Sequence, residues 1–415
     1  MTSTIPSSPP SGVRAVLRVP GMRAVFAAHA VSMAGTLAAE VALSILVFER
    51  TGSALLSALV LVCSFLPYAL GGTVLSALAD RFPPRPVLVA CDLLSGVCVA
   101  AMLIPGLPVP ALLGLLLVTG FVAPLFQGAR AASLAYLLDA ETFPTGRSML
   151  RTISQTAVVS GFALGSVAVA AIGPLWLLAA DAASFLVSAA LIGLRTPATP
   201  AGAPDGGKSL ASVVRDSGEG LRHLMAHRPL RRLILLTWAV PGFSAVGDGL
   251  AVAYTAQTGA AATAAGALFT GYAVGTVAGD LTLVRLPAAT RRRLVTPLVL
   301  LSQLPLAGFL LTPSVPVAAA LLALSGAGMA CNQGLDPLIL DASEPAYRGR
   351  LFTVQSSGLM TVQGVGIGAF GALGVWLRPG AVIGVTGLVG AGVVSLMVRR
   401  ALGAPPDGGS GPGGP

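Results

Sequence analysis

Charge is what this chain of 415 residues has least of: only 10% of its residues are Asp, Glu, Lys or Arg, where soluble domains carry about a quarter. That is too little polar surface to clothe a fold in water. Lysine is nearly absent, with Lys208 standing alone, and histidine occurs three times, at His29, His223 and His227. Aromatic residues make up 5%, which excludes an extensive stacking cage for planar cations. The four cysteines, Cys63, Cys91, Cys98 and Cys331, all fall inside apolar runs and read as small core residues; neither a disulfide framework nor metal-ligand spacing is present. The one match to GxxxxGK[ST], Gly202 to Ser209, falls in the Ala-, Gly- and Pro-rich linker without the strand-to-helix setting a phosphate loop needs, and HExxH and GxSxG are absent, so neither ATP as an energy source nor the common hydrolase chemistries is indicated. No nucleophile and base pair stands out, and the chain does not read as an enzyme. Residues 1–20 are rich in Ser and Pro with arginines among them, and the first apolar run is too long for a signal-peptide core, so the first helix is expected to be retained.

What fills the chain is hydrophobic sequence, 54% of the residues with a mean hydropathy of +0.84. Twelve stretches of roughly twenty residues, the length that crosses a bilayer core, lie near 24–48, 54–78, 86–105, 109–130, 152–172, 175–194, 233–255, 265–284, 294–312, 316–340, 351–377 and 381–398. Turn and charge signals separate them, among them Pro83-Pro84, Gly173-Pro174 and Arg378-Pro379-Gly380. If the N-terminus is inside, all but two of the 25 Lys and Arg residues, Arg50 and Arg378, fall in inner segments. By the positive-inside rule both termini are cytoplasmic and the protein sits in the cytoplasmic membrane. The net charge of +9 follows from this topology, and with the basic residues spread over many segments a nucleic-acid partner is excluded. The fold class read from this pattern is an all-α membrane protein of twelve transmembrane helices in two pseudo-symmetric six-helix bundles. The domains are a cytoplasmic tail over 1–23, a first bundle over 24–195, a linker over 196–232, a second bundle over 233–398 and a disordered tail over 399–415.

The two bundles read as copies of one unit. Sliding one half over the other superposes Gly72-Thr73-Val74 on Gly275-Thr276-Val277, Glu141 on Glu344 and Arg147 on Arg350 at a single offset. Duplicated six-helix halves are how secondary transporters place a substrate site at the midplane between bundles that rock against each other.

The stretch from Ser76 through Asp80 and Arg81 to Arg85 resembles the loop signature of the major facilitator superfamily, Gly-x-x-x-Asp-Arg-x-Gly-Arg-Arg/Lys, with Ser76 in the first glycine position and Pro83-Pro84 replacing the second glycine and an arginine. Asp92-Leu-Leu, Gly128-Ala-Arg130, Gly161-Phe-Ala-Leu-Gly165 followed by Gly173-Pro174, and Arg348-Gly-Arg350-Leu-Phe resemble the drug-efflux branch with the macrolide and enterobactin exporters. The resemblance implies that Ser76, Asp80, Arg81 and Arg85 form a conformational latch, with Asp80 facing the positive N-terminus of a helix from the other half. It also implies that Gly161 and Gly165 allow close helix packing, while the proline of the antiporter form of that motif is missing.

Ionisable residues within the spans are the sharper functional signal, because each is costly in a bilayer unless lodged in a cavity. The candidates are Glu40, Asp92, Asp181, Asp248 and Asp280, with His29 early in the first helix. Glu40 and Asp248 occupy near-equivalent places in the two repeats, and both are expected to face one central cavity as proton or substrate sites. Asp92 and Asp280 read as charge-network or capping residues and Asp181 as a packing partner. Gln127, Asn332 and Gln363 are proposed substrate contacts, with Gln333, Gln355, Trp238, Tyr254 and Tyr272 as weaker ones. The function expected is export of a small amphipathic molecule by alternating access, as a monomer in the lipid bilayer, without a cofactor and driven by the proton gradient. A solute importer or uniporter of the same superfamily and a transport-dead membrane sensor are the alternatives.

Overall fold

The computed structural model describes residues 13–79, 82–139, 142–197, 222, 225–343 and 348–402; within these, side chains over 68–79 and at a few other helical positions fall outside the description. The described residues are helical throughout, with no strand. A short helix, α1 (Val13–Arg18), precedes six long ones: α2 (Met22–Thr51), α3 (Ala54–Ala79), α4 (Pro84–Ala101), α5 (Val109–Leu137), α6 (Phe143–Ile172) and α7 (Pro174–Arg195). The second half contains α8 (Arg228–Ser244), α9 (Val246–Gln257), α10 (Ala265–Val284), α11 (Ala288–Arg293), α12 (Val295–Gln303), α13 (Val315–Gly328), α14 (Asn332–Asp341), α15 (Arg348–Trp376) and α16 (Pro379–Leu402). Nine helical segments among the described residues are long and apolar enough to cross a membrane, with α8–α9 and α13–α14 each counted as one. Adding α3, α6 and α12 with its continuation gives twelve crossings in two six-helix bundles.

Most boundaries fall where glycine and proline put them. Gly52 closes α2 in the left-handed conformation, its N–H reaching the Phe48 carbonyl, and Gly173, also at positive φ, turns α6 into α7 with Pro174 in the first position of the new helix. The second half departs from the uniform spans predicted. The crossing over 233–255 is two helices broken at Ala245, with Pro241, which lacks a backbone donor, in the turn before the break. The crossing over 294–312 turns from α12 into a 3-10 helix, Leu304–Leu311, that opens with Pro305, and the one over 316–340 is interrupted by the 3-10 turn Met329–Cys331. The fifth crossing starts at Phe143 rather than near 152.

The first and last described stretches, at α1 and the end of α16, lie at one face, here called the termini face. Gly21 abuts Pro197 at the end of α7, and Arg232 donates to the Arg400 carbonyl at 3.0 Å. The first bundle is held by α2 against α6 and α7, and by α4 against α5 and α7. The second is held above all by α10 against α13, where Gly271, Gly275 and Gly279 lie against the backbone of Ala319, Ala323 and Ala327. Such small-residue stripes let helices approach closely without a hydrophobic driving force from water. Between bundles, α3 packs on α15 and α6 on α10.

The apolar packing is asymmetric across the membrane. At the far face one buried cluster runs through both bundles, joining Ala42 and Ile45 of α2, Ala54 and Ala58 of α3, Leu250 and Tyr254 of α9, Phe309, and Ile367 of α15. Towards the termini face the buried clusters among the described residues are separate, one around Val25, Phe26 and Leu134 in the first bundle and one around Leu233, Val299 and Leu335 in the second.

Candidate functional site

A cavity of about 400 Å³ lies inside the first bundle, walled by α2, α3, α4, α5, α6 and α7, with Met360 of α15 as the contribution of the second half. Three carboxylates line it: Glu40 on α2, Asp92 on α4 and Asp181 on α7. Ser64 of α3 donates to Glu40 Oε1 at 2.6 Å, Ser188 of α7 donates to Asp92 Oδ2 at 2.6 Å, and Ser184 donates to Asp181 Oδ1 at 3.2 Å. Asp92 and Asp181 are buried, at 1% and 2% exposure. Each acid thus has a hydroxyl donor that its sequence context gives no reason to single out. Asp181 also lies against α2: a Cβ added at Gly35 would come within 2.6 Å of its Oδ1 and of Ser184 Oγ, so a larger residue there would have to displace both polar groups.

At the termini-face end of the cavity stands a basic counterpart. Arg130 Nη1 lies 2.5 Å from His29 Nδ1, and His29 Nε2 lies 2.8 Å from Ser154 Oγ. A guanidinium only donates, so Nδ1 accepts, the imidazole is neutral, and Nε2–H donates to the serine. This chain of bonds ties α5, α2 and α6 together. The Arg130 guanidinium also stands over the Phe126 ring, 5.9 Å from its centre.

The rest of the wall is largely apolar and sulfur-rich, with Ser32, Thr36, Ser95, Thr119 and Gln127 set in it. Phe65, Phe126 and Phe185 line the cavity together with Met33, Met102 and Met360. The low aromatic content led to no expectation of such a cluster; three helices bring these three rings together.

Of the residues singled out in the sequence, Glu40 and Gln127 line the cavity, whereas Asp248, Asn332 and Gln363 are not among its lining residues. Asp248 lies in the first turn of α9, just past the break in the seventh crossing, within electrostatic reach of Tyr272 on α10. Asp280 accepts from Gln333 Nε2 at 2.9 Å, and Gln355 Nε2 lies 3.5 Å from Oδ1 of Asp336, an acid on α14 that the list of intramembrane charges left out. Trp238 donates to the Gln355 carbonyl at 2.9 Å and Tyr254 to the Pro313 carbonyl at 2.6 Å. Gly161 faces Leu37 and Ala34 on α2, and Gly165 faces Ala38. Arg85, in the first turn of α4, donates to the Gly193 carbonyl on α7. Ser76 lies in the last turns of α3, while Asp80 and Arg81 lie outside the described residues. Among the described residues, no three His, Cys, Asp or Glu side chains stand close enough together to hold a metal ion.

Comparison with known proteins places this geometry. The family model described as Major Facilitator Superfamily matches residues 25–256, more than half of the chain. No curated protein matches in sequence. Among solved structures, the fold is similar to that of a bacterial homologue of the human lysosomal transporter Spinster in an inward-facing, unoccupied conformation (TM-score 0.67, 14% identity, 92% of this chain and 97% of that one). It is similar too to a peptide transporter, POT, in a mutant form (TM-score 0.69, 14% identity, 92% and 95%). A mutant of the nucleoside transporter NupG is a third (TM-score 0.67, 12% identity, 92% and 98%). At these identities the likeness concerns the fold.

Proposed function

Since the chain belongs to the Major Facilitator Superfamily, as a multi-pass membrane transporter of that type, we propose that it exports a small amphipathic molecule from the cell by alternating access, in exchange for protons. The observation that carries this reading is the group of three acids in one cavity of about 400 Å³, a size suited to a drug-like ligand. A carboxylate exposed in turn to each side of a membrane can bind a proton on one side and give it up on the other. If the same carboxylate also binds the substrate, proton and substrate exclude each other and exchange becomes obligatory. Glu40 and Asp181 suit this role, being close enough for Asp181 to feel the charge of Glu40.

The asymmetric packing supports a cycle of this kind. Joined at the far face and, among the described residues, separate towards the termini face, the buried clusters support the reading of a carrier whose site communicates with the termini side. The distribution of arginine makes that side the cytoplasm, in the cytoplasmic membrane, and a substrate collected there is one to be exported. Asp248, on the second bundle, is the candidate for a further proton site in the same pathway. The latch at Asp80, Arg81 and Arg85 would hold the termini side shut in the other half of the cycle.

The test uses everted membrane vesicles with an imposed acid-inside gradient reported by acridine orange. Exported compounds from an amphipathic panel should dissipate the gradient in vesicles containing the protein and not in those carrying Glu40→Gln. Accumulation of the same compounds in intact cells would instead make the protein an importer. Binding without any flux would make it a sensor.

A further inference from the structure

The cavity is charged unevenly along its length. At the termini-face end the wall carries Arg130, positioned by His29. Six residues further along α2, about 9 Å at the helical rise, Gly35 abuts Asp181. Glu40 stands eleven residues from His29, about 16 Å. The third acid, Asp92, lies nearer the Arg130 end, because its partner Ser188 is seven residues, about two turns, beyond Asp181 on α7, and its Oδ2 is turned onto that serine at 2.6 Å. Between the two ends α2 presents Ser32, Met33, Thr36 and Leu37 to the cavity, and Phe126 and Phe185 stand in the same wall.

We propose that the substrate is an amphipathic zwitterion, with a basic amine at Asp181 and Glu40, a carboxylate at Arg130 and an apolar or aromatic body between them. A guanidinium recognises a carboxylate through two parallel N–H bonds, which a neutral group cannot reproduce. An ammonium group taken out of water needs carboxylate acceptors, which the other end supplies. A ligand with only one charge forgoes the charge-assisted bonds at the opposite end of the cavity. The inference rests on the transport reading in one respect, that this cavity is the substrate site.

The experiment measures binding, with no gradient present, to the purified full-length protein in lipid nanodiscs by fluorescence polarisation. The three probes share one aromatic body: ciprofloxacin, which has an amine and a carboxylate at opposite ends; its methyl ester, which keeps only the cation; and N-acetylciprofloxacin, which keeps only the anion. Ciprofloxacin is expected to bind about tenfold or more tighter than either derivative, the loss due to one charge-assisted contact. Arg130→Gln should bring ciprofloxacin down to the affinity of the ester while leaving the ester unchanged, and Asp181→Asn should bring it down to that of the N-acetyl compound. An ester that binds the unaltered protein as tightly as ciprofloxacin overturns the proposal, as does the failure of all three to bind. The comparison on the unaltered protein needs no variant to fold. If proton exchange fails while this order of affinities holds, the coupling reading alone is lost. If proton-coupled export holds while the order is flat, the zwitterion alone is lost.

Discussion

Single side chains divide the work within the cavity. Glu40→Gln should abolish substrate-driven proton movement in vesicles while leaving the protein folded, since Gln keeps the volume and can still accept from Ser64; undiminished proton movement would remove Glu40 from the cycle. Gly165→Val is expected to destabilise by about 1 to 3 kcal/mol, the usual range for overpacking, because a Cβ at this position would lie 2.8 Å from the Ala38 Cα. The melting temperature in detergent measures this, with Gly114→Ala, which meets nothing within 4 Å, as the control that should not move. Glu40 was legible in the sequence as a charge inside an apolar run. Its association with Asp92 and Asp181 was not, because it depends on how α2, α4 and α7 pack: the Ser188–Asp92 bond joins residues far apart in the chain. Arg130 was misjudged for a related reason. It ends an apolar run and was counted as a charge of the inner face, whereas α5 continues to Leu137 and carries it along the cavity wall.

Among the elements, the breaks in the second bundle are its distinguishing feature. The end of α8 meets the other two interruptions: Ser244 Oγ lies 3.8 Å from Met329 Sδ, and Gln303 Nε2 donates to the Val240 carbonyl at 3.0 Å. A broken crossing can bend at the break where a continuous helix must move as a rod, so Pro241→Ala, which restores a backbone donor, should slow transport more than it weakens substrate binding. Equal losses in rate and affinity would show that the break has no part in the cycle. The number and order of crossings were legible because each needs a long apolar run bounded by Gly, Pro or Arg. The breaks were not, since apolar windows average over Pro241 and Pro305, and prolines occur in membrane helices that stay straight. The small-residue stripe of α10 was visible only in part: Gly275 stood out through its repeat partner Gly72, while the partners across the interface, Ala319, Ala323 and Ala327, became evident from the packing.

For the molecule as a whole, the account depends on two bundles that separate at the far face as they close at the termini face. A Cβ at Gly374 would sit 3.5 Å from the Ala54 Cβ, within disulfide range. In a background without the four native cysteines, Gly374→Cys with Ala54→Cys should form a bond between α15 and α3 that stops transport, and reduction should restore it. Transport that continues with the bond intact would contradict the rocking of the bundles. The duplicated plan and the shared side of the termini were readable from repeats and arginines. The seat of this cavity was not: it lies within the first bundle, with Glu40 in its wall and Met360 reaching in from the second.

The central claim is that proton and substrate compete for the carboxylates of the first bundle. The measurement that addresses it most directly is proton release from the purified protein in weakly buffered detergent as a transported compound is added. The account predicts release by the unaltered protein and none by Glu40→Gln combined with Asp181→Asn; an undiminished signal from that double variant would contradict it.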